Sequence, residues 1–80
     1  MKVRVRFFGQ ASELAGVREK VMELPEGWTL QQLEEKIYQE YPNLEGMRGV
    51  LVLAVNGEVA PTRRLEDEDE VAVLPPVAGG

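Results

Sequence analysis

Only one long stretch of this sequence, opening at Thr29, repeats its apolar residues with helical spacing. That restricts the fold more than any other feature. Leu30, Leu33, Ile37, Tyr41 and Leu44 form one apolar stripe, and Glu34, Glu35, Gln39 and Glu40 fall largely on the outer side. Thr29 and Gln32 have the spacing of a capping box, and Trp28 and Leu33 occupy the positions of a hydrophobic staple. Pro42 stops the helix near Tyr41. Trp28 and Tyr41 are accounted for as staple and core, with no ligand required. A lone amphipathic helix covers one face of one sheet, so the other segments must build a sheet that is covered on that face.

Those segments read as strands. In Lys2–Phe8, Val3, Val5 and Phe7 alternate with Lys2, Arg4 and Arg6, the pattern of a half-buried strand. Gly9 ends it, and Ala11–Ala15 reads as a short helical turn closed by Gly16. Val17–Leu24 is a second strand, with Val17, Val21, Met22 and Leu24 expected to pack, followed by a turn at Pro25-Glu26-Gly27. Asn43–Gly49 is a connection with room for one tight helical turn. Val50–Val55 is a strand apolar on both faces. Asn56-Gly57 is a strong hairpin signal, because a type I′ turn needs positive φ at both positions. Glu58–Ala60 would be a short return strand and Val71–Leu74 the last one.

The order is thus strand, strand, helix, strand, strand, strand: an α+β chain with a mixed sheet of about five strands and one main helix across one face. The first and last strands are expected side by side in the middle. This order fits a β-grasp, and pattern alone also admits other one-helix α+β rolls. Residues 1–74 form the domain and 75–80 a tail.

Two strands carry more apolar residues than one helix can cover. Val50, Val52 and Ala54 oppose Leu51, Leu53 and Val55, and Val71 and Val73 oppose Ala72 and Leu74. The surplus set would lie on an open sheet face near the basic stripe of Arg4 and Arg6, where an exposed apolar patch marks a partner surface. The residues expected there are Arg4, Arg6, Leu51, Leu53, Ala72 and Leu74.

Composition removes whole classes of chemistry. Eighty residues without Cys or His offer no thiol nucleophile, no Cys/His zinc site and no imidazole base. A formal charge of −5 argues against a nucleic-acid partner. No apolar run is long enough to cross a membrane, and the amino-terminal alternation is a strand pattern rather than a signal peptide. The expectation is a cytoplasmic protein that binds neither nucleic acid nor membrane. The acidic run Glu66-Asp67-Glu68-Asp69-Glu70 lacks the glycine and closing glutamate of an EF-hand loop and reads as a solvated turn; no metal site is expected. Arg63-Arg64 reads as a surface pair.

The remaining feature is the ending, Leu74-Pro75-Pro76-Val77-Ala78-Gly79-Gly80. An apolar strand runs into two prolines and then a side-chain-poor arm. A frayed terminus is the ordinary explanation for small residues at a chain end. The alternative is that the Gly80 carboxylate is a reactive group and the rest of the chain presents it.

Two stretches resemble a known family. Arg4-Val5-Arg6-Phe7-Phe8-Gly9-Gln10-Ala11-Ser12-Glu13-Leu14-Ala15-Gly16 is similar to the opening of the small subunit of molybdopterin synthase. Asp69-Glu70-Val71-Ala72 with Leu74-Pro75-Pro76-Val77-Ala78-Gly79-Gly80 is similar to its ending. The resemblance spans essentially the whole chain. It implies a ubiquitin-like β-grasp fold and a sulfur carrier that is not itself catalytic. In such a carrier an E1-like activating enzyme uses ATP to adenylate the terminal carboxylate, here Gly80 with Gly79 beside it. A sulfur donor protein then provides the sulfur of a thiocarboxylate. The large synthase subunit takes in the tail, and the sulfur passes to a pterin precursor of the molybdenum cofactor. Pro75, Pro76, Val77 and Ala78 would be the spacer, and no cofactor would be bound by the chain itself. One position departs from the family, which usually has glycine where Glu68 stands; a different type of turn is expected there. Related carriers for thiazole, tRNA thiolation or a tungsten cofactor, a protein modifier joined to lysines through Gly80, and an interaction domain with an inert tail are the competing readings.

Overall fold

The computed structural model describes residues 1–59 and 63–76. Its elements are β1 (Lys2–Phe7), α1 (Gly9–Ala15), β2 (Glu19–Glu23), α2 (Leu30–Glu40), a 3₁₀ helix (Pro42–Met47), β3 (Val52–Val55) and β4 (Glu70–Leu74). The strands form one mixed sheet in the order β2-β1-β4-β3. The outer pairs are antiparallel, and β1 and β4 run parallel at the centre.

α2 forms as its sequence dictates. Gln32 N donates to Thr29 Oγ1 at 3.4 Å and Thr29 N donates to Gln32 Oε1 at 2.9 Å, closing the capping box. Trp28 packs against the core at this start. Leu30, Leu33, Ile37 and Tyr38 are the buried residues of α2, and Leu44 and Met47 of the 3₁₀ helix join them. Tyr38 was not on the expected stripe. Tyr41, which was, caps the helix end half-buried, with its ring edge-on to Phe7 at 5.1 Å. The covered sheet face supplies Val3, Val5, Phe7, Met22, Leu53, Val55, Val71 and Val73 to the same core.

The Asn56-Gly57 turn takes the expected form, with φ of 50° and 86°. Val55 and Glu58 exchange both backbone hydrogen bonds across it, at 2.8 and 3.0 Å. The return strand does not follow. Glu58 makes an isolated bridge to Val55, and Ala60 lies outside the described residues. The sheet therefore has four strands among the described residues rather than about five.

Strand parity corrects two more expectations. Val21 pairs with Arg4 and shares its outward face, so it is 50% exposed. Val17 precedes β2 and is also exposed; Met22 and Leu24 alone pack, as expected of them. Leu51 and Leu53 were placed on the open face, yet each is only 8% exposed and belongs to the core. Leu53 pairs with Val73, which points towards α2, so that set is the one the helix buries. Val50 and Val52 are the exposed members.

The acidic run is a turn, but not a wholly solvated one. Asp69 is 5% exposed, and its carboxylate accepts hydrogen bonds from Asn56 Nδ2 at 2.9 Å and Glu66 N at 2.8 Å. Asn56 in turn accepts from Glu70 N at 3.0 Å. Glu68 N donates to Lys2 O at 2.7 Å, and Glu68 adopts φ of 71°. The glycine-like conformation is therefore kept without glycine, where a different type of turn was expected.

Candidate functional site

The two motifs at the ends of the chain meet at the centre of the sheet. β1 and β4 pair in parallel, with Arg4 opposite Glu70, Arg6 opposite Ala72 and Phe7 opposite Val73. The pairing extends one residue further, because Phe8 N donates to Val73 O at 3.2 Å. β4 then runs into Pro75 and Pro76 beside the start of α1. A Cβ on Gly9 would stand 3.2 Å from Pro75 Cγ, and Gly9 has φ of 50°. This close approach and the positive φ both favour the residue without a Cβ. The root of the tail is thus held by the Phe8-Gly9 corner. Gly79 and Gly80, expected to carry the chemistry, and Val77 and Ala78, expected in the spacer, lie outside the described residues.

The sheet face away from α2 is laid out by the registers. One row reads Glu19, Arg6, Ala72, Ala54; the next reads Val21, Arg4, Glu70; Leu74 pairs with Val52. The basic stripe is present and neutralised in place. Arg6 Nη1 is 3.3 Å from Glu70 Oε1, Arg6 Nε is 3.9 Å from Glu19 Oε1, and Arg4 Nε is 3.8 Å from Glu19 Oε2. The Arg6 guanidinium also sits over the Phe8 ring, 5.3 Å from its centroid. The tail end of the face is apolar. Phe8 is 38% and Val52 42% exposed, with Leu74 and Ala72 partly open beside them.

Arg4, Arg6, Ala72 and Leu74 therefore share the face expected of them, and Leu51 and Leu53 do not. Phe8 and Val52 were missed. Parity carried the signal for Phe8, which has the same outward position in the alternation as Arg4 and Arg6. No cluster of three metal-ligating side chains occurs among the described residues. Away from this face, hydrogen bonds from Arg48 hold the Glu35 carboxyl below its ordinary value. Near the site, burial raises the Tyr41 phenol, whose ring packs on Phe7. No helix of the described residues is long and apolar enough to cross a membrane.

The ThiS family model matches residues 5–80, which takes in the ending motif and all of the opening motif after Arg4. The chain belongs to the ThiS family. A molybdopterin synthase sulfur carrier subunit from Caenorhabditis briggsae is 41% identical, over all of this chain and 99% of that one. A molybdopterin converting factor subunit 1 structure from Pyrococcus furiosus is 34% identical with a TM-score of 0.87, over 96% of this chain and 99% of that one. A third similar structure is a complex of subunits 1 and 2 of the molybdopterin-converting factor from Helicobacter pylori. It matches at 29% identity and a TM-score of 0.72 over the whole of both chains. The fold of this ThiS-family chain is a ubiquitin-like β-grasp.

Proposed function

We propose that this chain is the sulfur-carrier subunit of a molybdopterin synthase and that the carboxylate of Gly80 is the group that carries the sulfur. The observation behind this reading is the junction at the sheet centre. β4, locked between β1 and β3, delivers the chain to Pro75 and Pro76 at the edge of an open, partly apolar face. The likeness to sulfur carrier subunits over the full chain supports it.

The chemistry explains the parts. A carboxylate is a poor acyl donor because its leaving group would be oxide. Attack of a carboxylate oxygen on the α-phosphorus of ATP forms an acyl adenylate and releases pyrophosphate. Hydrosulfide then attacks the acyl carbon and AMP leaves, giving the thiocarboxylate; a donor persulfide would give an acyl disulfide, which a thiol cleaves to the same thiocarboxylate with formation of a disulfide. These steps and the later sulfur transfer take place inside partners, an activating enzyme and the large synthase subunit, so the acyl end must travel. Six residues from Pro75 to Gly80 reach roughly 20 Å when extended. Pro75 and Pro76 favour extended geometry. Gly79 and Gly80, lacking Cβ atoms, suit a narrow channel. The body docks through the face that carries Phe8, Ala72, Leu74 and Val52. The likeness to a chain solved with its second subunit supports that partner.

Removing Gly79 and Gly80 tests the assignment. The truncated chain is expected to keep its melting temperature and its binding to the large subunit while losing all sulfur transfer to the pterin precursor. Unchanged transfer would overturn the reading. A ladder of larger adducts on immunoblots of cell extract, with no thiocarboxylate detected, would point instead to a protein modifier.

A further inference from the structure

Beside the root of the tail, β1, α1 and the start of β2 enclose an open hollow of about 590 Å³. Arg6, Phe8, Gly9, Ser12, Arg18 and Glu19 contribute to its lining. Its side chains bring two guanidiniums against one carboxylate, in a chain of formal charge −5. The two arginines are not equivalent. Arg6 is held by Glu70 at 3.3 Å and by Glu19 at 3.9 Å. Arg18 is exposed, and its side chain has no ion pair among the described residues. Its backbone is fixed, because Phe7 N donates to Arg18 O at 2.8 Å. Arg18 is thus an uncompensated cation on a rigid mount, next to the exposed ring of Phe8.

The location decides what can occupy the hollow. Gly9 lines it and also meets Pro75, so the tail has no free length before this corner. A protein that takes in the chain beyond Pro76 and docks on the face carrying Phe8 lies against this corner and therefore against the hollow. We propose that Arg18, with Phe8 beside it, receives an acidic segment of the protein that takes in the tail: a loop presenting Asp or Glu next to an apolar side chain. This rests on the carrier reading above and adds the chemistry of the partner's contact. Charge complementarity excludes a basic loop. It also disfavours nucleic acid, for which a single unpaired arginine in this hollow, on a chain of formal charge −5, is too little. A pair with a buried or half-buried carboxylate sets register and dissociation rate, while rim charges set the association rate and its salt dependence.

The test is calorimetric titration of the large synthase subunit with the full chain at low and high salt. The variants are Arg18→Glu, Arg18→Lys and, as a control at the start of α2, Arg64→Glu. Arg18→Glu is expected to weaken binding at least about tenfold at low salt and less at high salt. Arg18→Lys should stay within about threefold of wild type, and Arg64→Glu should match it. In turnover assays Arg18→Glu should raise the KM for the carrier and leave kcat unchanged, with an unchanged melting temperature separating this from a loss of folding. Equal affinity of Arg18→Glu and wild type would overturn the proposal, as would sedimentation showing that Arg18 serves a dimer of this chain. Failure of the wild-type chain to bind the large subunit at all would instead defeat the carrier reading.

Discussion

Asn56 and Asp69 join the β3 hairpin to the loop that precedes β4: Asn56 Nδ2 donates to Asp69 Oδ1 at 2.9 Å, where Asp69 is 5% exposed. The same carboxylate accepts from Glu66 N at 2.8 Å. Asp69 O also accepts from Arg4 N at 2.9 Å, so this pair sets the register of the strand that leads to the tail. Asp69→Ala leaves two donors without their acceptor. It is expected to lower the unfolding free energy by about 3 kcal/mol, given about 1.5–3 kcal/mol per hydrogen bond to a charged group and incomplete additivity. Urea denaturation measures this; a loss below about 1 kcal/mol would show that the contact is idle.

Glu68 holds φ of 71° while its N–H bonds Lys2 O at 2.7 Å. A left-handed conformation costs a non-glycine residue about 1–2 kcal/mol, and glycine gives back about 0.4–1 kcal/mol through the greater freedom of its unfolded chain. Glu68→Gly is therefore expected to raise stability by up to about 1 kcal/mol. A clear loss in the same denaturation assay would mean that the Glu68 side chain has a role beyond its backbone.

The hydroxyl of Tyr38 is buried and has no hydrogen-bond partner among the described residues, and its ring centroid lies 4.2 Å from the Arg48 guanidinium carbon. Burial, aided by Glu34, raises its phenol pKa. Removing an unpaired buried hydroxyl while keeping the ring favours folding, so Tyr38→Phe should gain about 1 kcal/mol. A loss of stability in Tyr38→Phe would reveal a partner for the hydroxyl.

Arg48 bridges Glu35 at 2.6 Å and Glu45 at 2.6 Å, clipping the 3₁₀ helix to α2. Hydrogen bonding to Arg48, the largest effect, lowers the Glu35 pKa below 4.5. A carboxylate with a depressed folded-state pKa contributes stability above its unfolded value and loses it as pH falls through the folded one. Arg48 stays charged throughout the acid range, since the same partners raise its pKa. The stability gap between wild type and Arg48→Ala should therefore be constant from neutrality to about pH 5 and shrink below 4.5. A gap that does not change with pH would assign Arg48 to packing on Tyr38 alone.

Local chemistry was legible in the chain, and strand parity only where polar and apolar residues alternate, as in β1. The Asn56-Gly57 turn and the Thr29–Gln32 box are written in adjacent residues and formed as read. Leu51 and Leu53 could not be assigned a face from β3 itself, because both of its faces are apolar and the choice depends on pairing with Val73. Val21 went wrong for the same reason, its orientation being set by Arg4 on the neighbouring strand. Tyr38 joined the core because the 3₁₀ helix widens the surface that α2 packs against, a contact between separate elements. At the site, the basic stripe and outward Ala72 and Leu74 followed from alternation. The Gly9–Pro75 contact and the Arg18 hollow join residues far apart in sequence and exist only in the folded sheet.

The carrier assignment is tested most directly by the intact mass of the full chain after incubation with ATP, the activating enzyme and a sulfur donor. The expected result is the mass rise for one oxygen replaced by sulfur, located by fragmentation on Gly80 and absent when ATP is omitted. An unchanged mass, with an activating enzyme shown to be active on another carrier, would contradict it.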